Sequence, residues 1–200
     1  MKTTKYFIFG LATLALACKK PTPVPPPAPD AAALISFVND NKEDATQHFS
    51  ENAEAAIFVT GEKGTVLYIP ANSLENAAGD LVTGNVDIEL IEIDKKSEMV
   101  MMNKATTGKT ASGQHATLVS DGEFYVSVSQ YGEELTLVNP MTLRHPFDAY
   151  DGAMRKFVNT STDEDMLWEM AEDSLLDIDE DTTGLGIGYD ILPGEWGWTN

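Results

Sequence analysis

From about Gln47 onward the apolar residues recur at every second position, and this period restricts the chain more than any other feature in it. Thr65-Val66-Leu67-Tyr68-Ile69, Val86-Asp87-Ile88-Glu89-Leu90 and Phe124-Tyr125-Val126-Ser127-Val128 alternate between core-facing and solvent-facing side chains. Half-buried strands must do this, because successive Cβ atoms of an extended chain point to opposite faces. Leu135-Thr136-Leu137 continues the pattern. The separators, Gly61-Glu62-Lys63-Gly64, Ala78-Gly79-Asp80, Ser120-Asp121-Gly122 and Tyr131-Gly132-Glu133, are turn-forming. Pro70 ends ladder donation at a strand end, while Gly79 and Gly84 supply turn geometry that a side chain would strain. Short strands at this spacing predict an all-β fold, an antiparallel β-sandwich over residues 47–145.

Two helices are expected beside the strands. Asp30 is placed to cap a short one through Leu34, Phe37 and Val38, ended by the polar run Asn39-Asp40-Asn41, making 30–46 a helical collar. Thr162-Asp163-Glu164-Asp165 has capping-box spacing and opens a second, acidic helix with Met166, Leu167, Met170 and Ala171 on one face. It belongs to an acidic helical and strand extension, 146–200, with 14 acidic against 2 basic residues. Lys95-Lys96-Ser97-Glu98 reads as an exposed loop. Met99-Val100-Met101-Met102 reads first as core packing, with an adaptable binding surface as the alternative.

The N-terminal segment bears on destination. Lys2 and Lys5 precede an apolar run, Tyr6 to Ala17, of 12 residues. That is shorter than the roughly 20 needed to span a bilayer and suits an export signal, residues 1–17. The run ends in small residues followed by the only cysteine, as Leu14-Ala15-Leu16-Ala17-Cys18, which resembles the lipobox of bacterial lipoproteins. The resemblance implies cleavage before Cys18, a diacylglycerol on its sulfur and an acyl chain on its new amino group. Several buried acyl chains anchor a protein stably where one does not. Residues 19–29, KKPTPVPPPAP, hold six of the ten prolines and form a stiff polyproline-type spacer, at about 3.1 Å per residue. Lys19 and Lys20 follow Cys18 where surface-exported Bacteroidetes lipoproteins carry an acidic cluster, which implies the periplasmic face of the outer membrane.

The run GTVLYIPANSLENAAGDLVTGNVDIELIEIDKKSEMVMMNKAT, followed by DGEFYVSVSQYGEELTL, resembles a domain of uncharacterised Bacteroidetes lipoproteins, itself similar to the ZU-five β-sandwich of netrin receptors and ankyrins. The features that match are Ile69-Pro70-Ala71, the turn at Gly79, Val82-Thr83-Gly84 before a long strand, and Gly122-Glu123-Phe124-Tyr125. The resemblance covers about residues 45–145 and implies a scaffold or interaction module, with no catalytic residues to carry over. Gly197-Trp198-Thr199-Asn200 resembles a strand that in the family usually continues further, or packs as the last edge.

Charge narrows the partners. With 13 Lys and Arg against 32 Asp and Glu the net charge is −19, and no basic stripe is available to neutralise phosphates, so nucleic acid is excluded as a partner. The expected partners are the membrane, through Cys18, and an outer-membrane protein or a glycan. His48, His115 and His145 have no metal-ligand spacing, no GxSxG occurs, and a lipidated Cys18 leaves no thiol, so no cofactor and no catalytic residue is expected.

Three alternatives stay open. Asp177, Asp179 and Asp181 alternate so that their oxygens can face one calcium ion, although Thr182 and Gly188 stand where an EF-hand needs Gly and Glu. A calcium-dependent adhesion or glycan-binding module would use them together with Trp168, Trp196 or Trp198 stacked on a sugar. His48-Phe49-Ser50 resembles the self-cleaving tripeptide of some ZU-five proteins; it implies attack by Ser50 on the Phe49 carbonyl, assisted by His48, ahead of the first strand. Ser174 and Thr182, in Asp173-Ser174-Leu175 and Asp181-Thr182-Thr183, resemble O-glycosylation acceptors of exported Bacteroidetes proteins.

Overall fold

The computed structural model describes residues 30–104, 106–110, 112–147, 149–159, 167–171, 177–179 (backbone only), 188–191, 193 and 196–200. Its first element is α1 (Ala31–Ala45), capped by Asp30, whose carboxylate accepts from the Ala32 N–H at 3.0 Å. The helix does not end at Asn39-Asp40-Asn41 as expected. Asn41 Nδ2 donates to the Phe37 carbonyl at 2.6 Å, so the polar side chain bonds along the helix instead of unwinding it. Thr46 closes the helix, donating its N–H to the Glu43 carbonyl and its hydroxyl to that of Lys42.

The strands β1 (Gln47–Asn52), β2 (Ile57–Thr60), β3 (Val66–Ile69), β4 (Leu74–Glu75) and β5 (Asn85–Ile93) follow. Where an exposed loop is expected the chain forms α2 (Lys96–Met101), because Met99 and Met102, three residues apart, both find the core at 3% and 5% exposure. Val100 and Met101 face outward, so the methionine run divides between core and surface. Then come β6 (Thr107–Lys109), β7 (His115–Thr117), β8 (Glu123–Gln130), β9 (Glu133–Glu134), β10 (Thr136–Leu137) and β11 (Thr142–Pro146). The last described strands are β12 (Phe157–Asn159), β13 (Trp168–Met170), β14 (Asp177–Asp179), β15 (Gly188–Ile191) and β16 (Gly197–Thr199). The turns marked by glycine are present, with Gly79 and Gly84 at φ of 82° and 81°.

The fold is all-β with two short helices. A nine-stranded sheet has the order β1-β5-β8-β16-β12-β13-β6-β7, with β9 on the end of β8; a five-stranded sheet runs β14-β15-β11-β3-β2; β10 and β4 form a pair. Among the described residues every pairing is antiparallel except β13 with β6. Residues after 146 supply strands to the same two sheets as residues 47–145. β16 lies between β8 and β12, so it is an interior strand and not the last edge. The expected acidic helix is corrected at Trp168–Met170. Pairing to β12 on one side and β6 on the other holds these residues extended, and ladder bonds on both sides outweigh a local helix-start pattern.

One apolar cluster takes Val86, Ile88, Leu90, Phe124, Val126 and Val128 from the larger sheet and Ile57, Val59, Leu67, Ile69, Leu143 and Ile191 from the smaller. Each such side chain, fully buried, contributes about 1.5–3 kcal/mol. A second cluster, Ile91, Ile93, Met99, Met102, Trp168 and Trp198, with Ala45 against it, covers the other face of the nine-stranded sheet. β5 feeds both, even positions to one and odd positions to the other. Glu92, 3% exposed, accepts from Gln47 Nε2 at 2.9 Å and from the backbone N–H groups of Lys63 at 3.0 Å and Thr65 at 2.9 Å. A buried carboxylate thereby fixes the β2–β3 turn.

Candidate functional site

The Ser120-Asp121-Gly122 turn leads into β8 beside a cavity of about 100 Å³, lined among others by Asp121, Phe124, His145, Arg155, Tyr189 and Asn200. This is room for a few water molecules or a small group. Alternation along β11 brings His145 here, since Leu143 and His145 share one face while Arg144, 6% exposed on the other, makes a bidentate pair with Asp190 at 2.6 and 2.8 Å. The His145 ring lies 4.8 Å from that of Phe124, and its Nδ1 is 3.3 Å from Thr65 Oγ1. Burial lowers its pKa, against the opposing pull of Asp121 and Glu92, and so favours the neutral imidazole. Gly122 leaves the approach open: a Cβ there would lie 2.8 Å from Phe124 Cζ and 3.4 Å from His145 Nε2.

One residue further on, Glu123 faces the opposite side of the sheet, directly across from Ile93. It is fully buried, and Asn200 Nδ2, which also lines the cavity side, donates to its Oε1 at 3.1 Å. Oε2 has no hydrogen-bond partner among the described residues. Burial pushes the Glu123 carboxyl up to about 7, against the opposing effect of Lys104. Lys104 is itself 5% exposed, with its ammonium 3.9 Å from the centroid of the Trp198 ring. The turn thus places a histidine whose burial favours the neutral ring on one face of the sheet and a carboxyl pushed up to about 7 on the other, while Asn200 lines the cavity of the first and bonds the second.

No protein-family model, curated protein or solved structure matches the chain.

Apart from His145 and Trp198, the residues singled out in the sequence lie elsewhere. His48, Phe49 and Ser50 are inside β1, not ahead of the first strand; Phe49 pairs with Ile88 and Ser50 with Asp87 in a regular ladder. His48 Nδ1 lies 3.8 Å from Glu89 Oε1, not against Ser50. Trp168 and Trp198 are 0% and 5% exposed in the second cluster, and burial leaves them no face for a sugar ring. Trp196, half-buried, packs against the first cluster and donates its Nε1–H to the Leu135 carbonyl at 2.5 Å. Asp177 and Asp179 fall on β14, with Asp177 opposite Asp190 and Asp179 opposite Gly188. Cys18, Ser174, Asp181 and Thr182 lie outside the described residues. Among the described residues, no three His, Cys, Asp or Glu side chains are grouped to hold a metal ion, and no helix is long and apolar enough to cross a membrane.

The sequence reading gives Lys104 and Arg155 no role, names Glu123 and Asn200 only as features of a family resemblance, and weighs His145 only for metal spacing. The available signal was an acidic residue in register with a strand's apolar positions: Glu123 shares the face of Tyr125, which packs on the second cluster. Its burial follows from the layer of Met99, Met102, Trp168 and Trp198 on that face, brought there by α2, β13 and the neighbouring β16, which no local pattern announces.

Proposed function

We propose that the protein is a lipid-anchored, non-enzymatic structural or interaction module of a bacterial outer membrane, facing the periplasm. The observation that carries this reading is the succession Leu14-Ala15-Leu16-Ala17-Cys18, then a proline-rich spacer, then Asp30 as the cap of the first helix of a folded β domain. An anchor, a spacer and a presented domain are the parts such a module needs. The two larger sheets sharing one apolar cluster supports a sandwich resembling the ZU-five domain, with β5 and β8 opposite β3 and β11. The domain's role is then to hold a partner protein or glycan near the membrane, while its acidic surface keeps it off anionic headgroups.

The test is the intact mass of the protein purified with detergent from its own membranes. The expected mass is that of residues 18–200 plus a diacylglycerol and one acyl chain. An unlipidated mass would overturn the anchor, and a fragment beginning at Ser50 would replace this reading with self-cleavage.

A further inference from the structure

The first half of α1 carries an apolar surface that the described fold leaves uncovered. The helix buries no residue, and Leu34, Ile35 and Phe37 are 61%, 60% and 48% exposed. At 100° per residue, Leu34, Ile35, Phe37 and Val38 fall on one side of the helix, in line with Asn41, Lys42 and Ala45 further along. That later part of the stripe is seated: Ala45 packs on the second cluster, and the Lys42 ammonium lies 5.1 Å and 5.8 Å from the Tyr125 and Trp198 ring centroids. The stripe therefore continues past its seat. Ala31 to Val38 hold no charged residue, whereas Asp40, Lys42, Glu43 and Asp44 all lie in the second half.

We propose that the uncharged first half of α1 docks on the lipid bilayer to which Cys18 tethers the chain, inserting Leu34, Ile35 and Phe37 at the headgroup boundary. This rests on the reading of Cys18 as lipidated. Position selects the occupant: eleven residues separate Cys18 from Asp30, a reach of about 37 Å at 3.1 Å per residue, so the tether holds α1 close to the lipid at high effective concentration. Charge selects the orientation. The acidic remainder of the domain is repelled by anionic headgroups, while the helix end, whose one acidic group is the Asp30 cap, is repelled far less, so the contact is made by the helix end and the domain stays off the surface.

The experiment uses the lipidated full-length protein in vesicles of phosphatidylethanolamine and phosphatidylglycerol. An acylated Cys18 leaves no other thiol, so Phe37→Cys, Ser36→Cys and Val119→Cys each carry a single environment-sensitive fluorophore. Ser36 lies on the back of the helix relative to the stripe, and Val119 is an 82% exposed reference on the β domain. The label at 37 is expected to shift to the blue and to be quenched by spin-labelled lipid several-fold more than those at 36 and 119. Equal quenching at all three positions overturns the docking. A blue shift at 37 that grows with protein concentration in the absence of vesicles also overturns it, in favour of a second copy covering the stripe. The intact mass of the same samples separates the two readings: lipidated protein with equal quenching removes the docking alone, and an unlipidated mass removes the anchor and the docking with it.

Discussion

On one face of the nine-stranded sheet, Val86, Ile88 and Leu90 meet side chains of the smaller sheet in an apolar layer. On the other, Ile91 and Ile93 share their layer with Glu123, Lys104, Trp168 and Trp198. Where Val86, Ile88 and Leu90 meet the smaller sheet, stability comes from removing carbon surface from water, which is insensitive to pH, and the ionisable groups of that face, Glu92 and His145, sit toward the ends of β5 and β11. The second buries ionisable groups and so couples its stability to protonation. The same strands, β5 and β8, serve both. The two strands thus hold the fold through carbon at the middle of one face and couple it to the protonation of Glu123 on the other.

The largest effects should come from removing apolar volume on either face. Trp168→Ala, at a fully buried position, is expected to cost about 3–5 kcal/mol, and Ile88→Ala about 2–5 kcal/mol. Denaturant titration at pH 5 and pH 8 should give the same loss for Ile88→Ala at both; a loss that depends on pH would break the contrast between the faces.

Glu123→Gln should act in the other direction. A carboxyl at about 7 in the folded state and near 4.5 unfolded disfavours folding once ionised, so wild-type stability should fall as pH rises from about 4.5 to 7 and level off above. The glutamine variant, which can still accept from Asn200, should lack that slope and gain up to about 3 kcal/mol at pH 8. An unchanged slope would mean that Glu123 does not titrate in this window.

A smaller effect is expected at the rim. Lys63 donates to Asp94 Oδ1 at 2.8 Å and to Glu98 Oε2 at 2.6 Å. Burial opposes the charged form of both Lys63 and Asp94, but the hydrogen bonds and charge attraction among Lys63, Asp94 and Glu98 together outweigh it, so the lysine is raised and the aspartate lowered. The Asp94 contribution is therefore present at neutral pH and lost as pH falls through the lowered carboxylate pKa. Because these groups are partly solvated, Lys63→Ala should cost no more than about 1 kcal/mol, and less at high salt. Smallest of all, Phe37→Ser should change the stability of the domain by no more than about 0.5 kcal/mol, since Phe37 is 48% exposed and belongs to neither apolar cluster. A large loss there would show that the stripe belongs to the core.

The legible parts of the fold were those whose signals are local. β5 and β8 contain two of the alternating runs, β3 holds the third without its alternation because Thr65, Val66 and Leu67 are all buried, and the glycine turns sit where the chain reverses. Asp30 caps the helix it was expected to cap. The helix at Lys96 and the strand at Trp168 were misread because tertiary partners decide them: two buried methionines for one, two flanking strands for the other. The site around Glu123 and His145 was hidden for a related reason. Neither residue belongs to a motif of catalytic spacing, and Asn200, which bonds Glu123 and lines the His145 cavity, stands 77 residues from Glu123.

The sequence by itself determined the strand period, the turns, the helix cap and the lipobox-like cysteine, because backbone preference, side-chain alternation and short motifs act over a few residues. Tertiary structure decided which strands are neighbours, which tryptophans are covered and which carboxyl is held near neutrality. Those properties depend on burial, and burial is set by segments that meet only when the chain has folded.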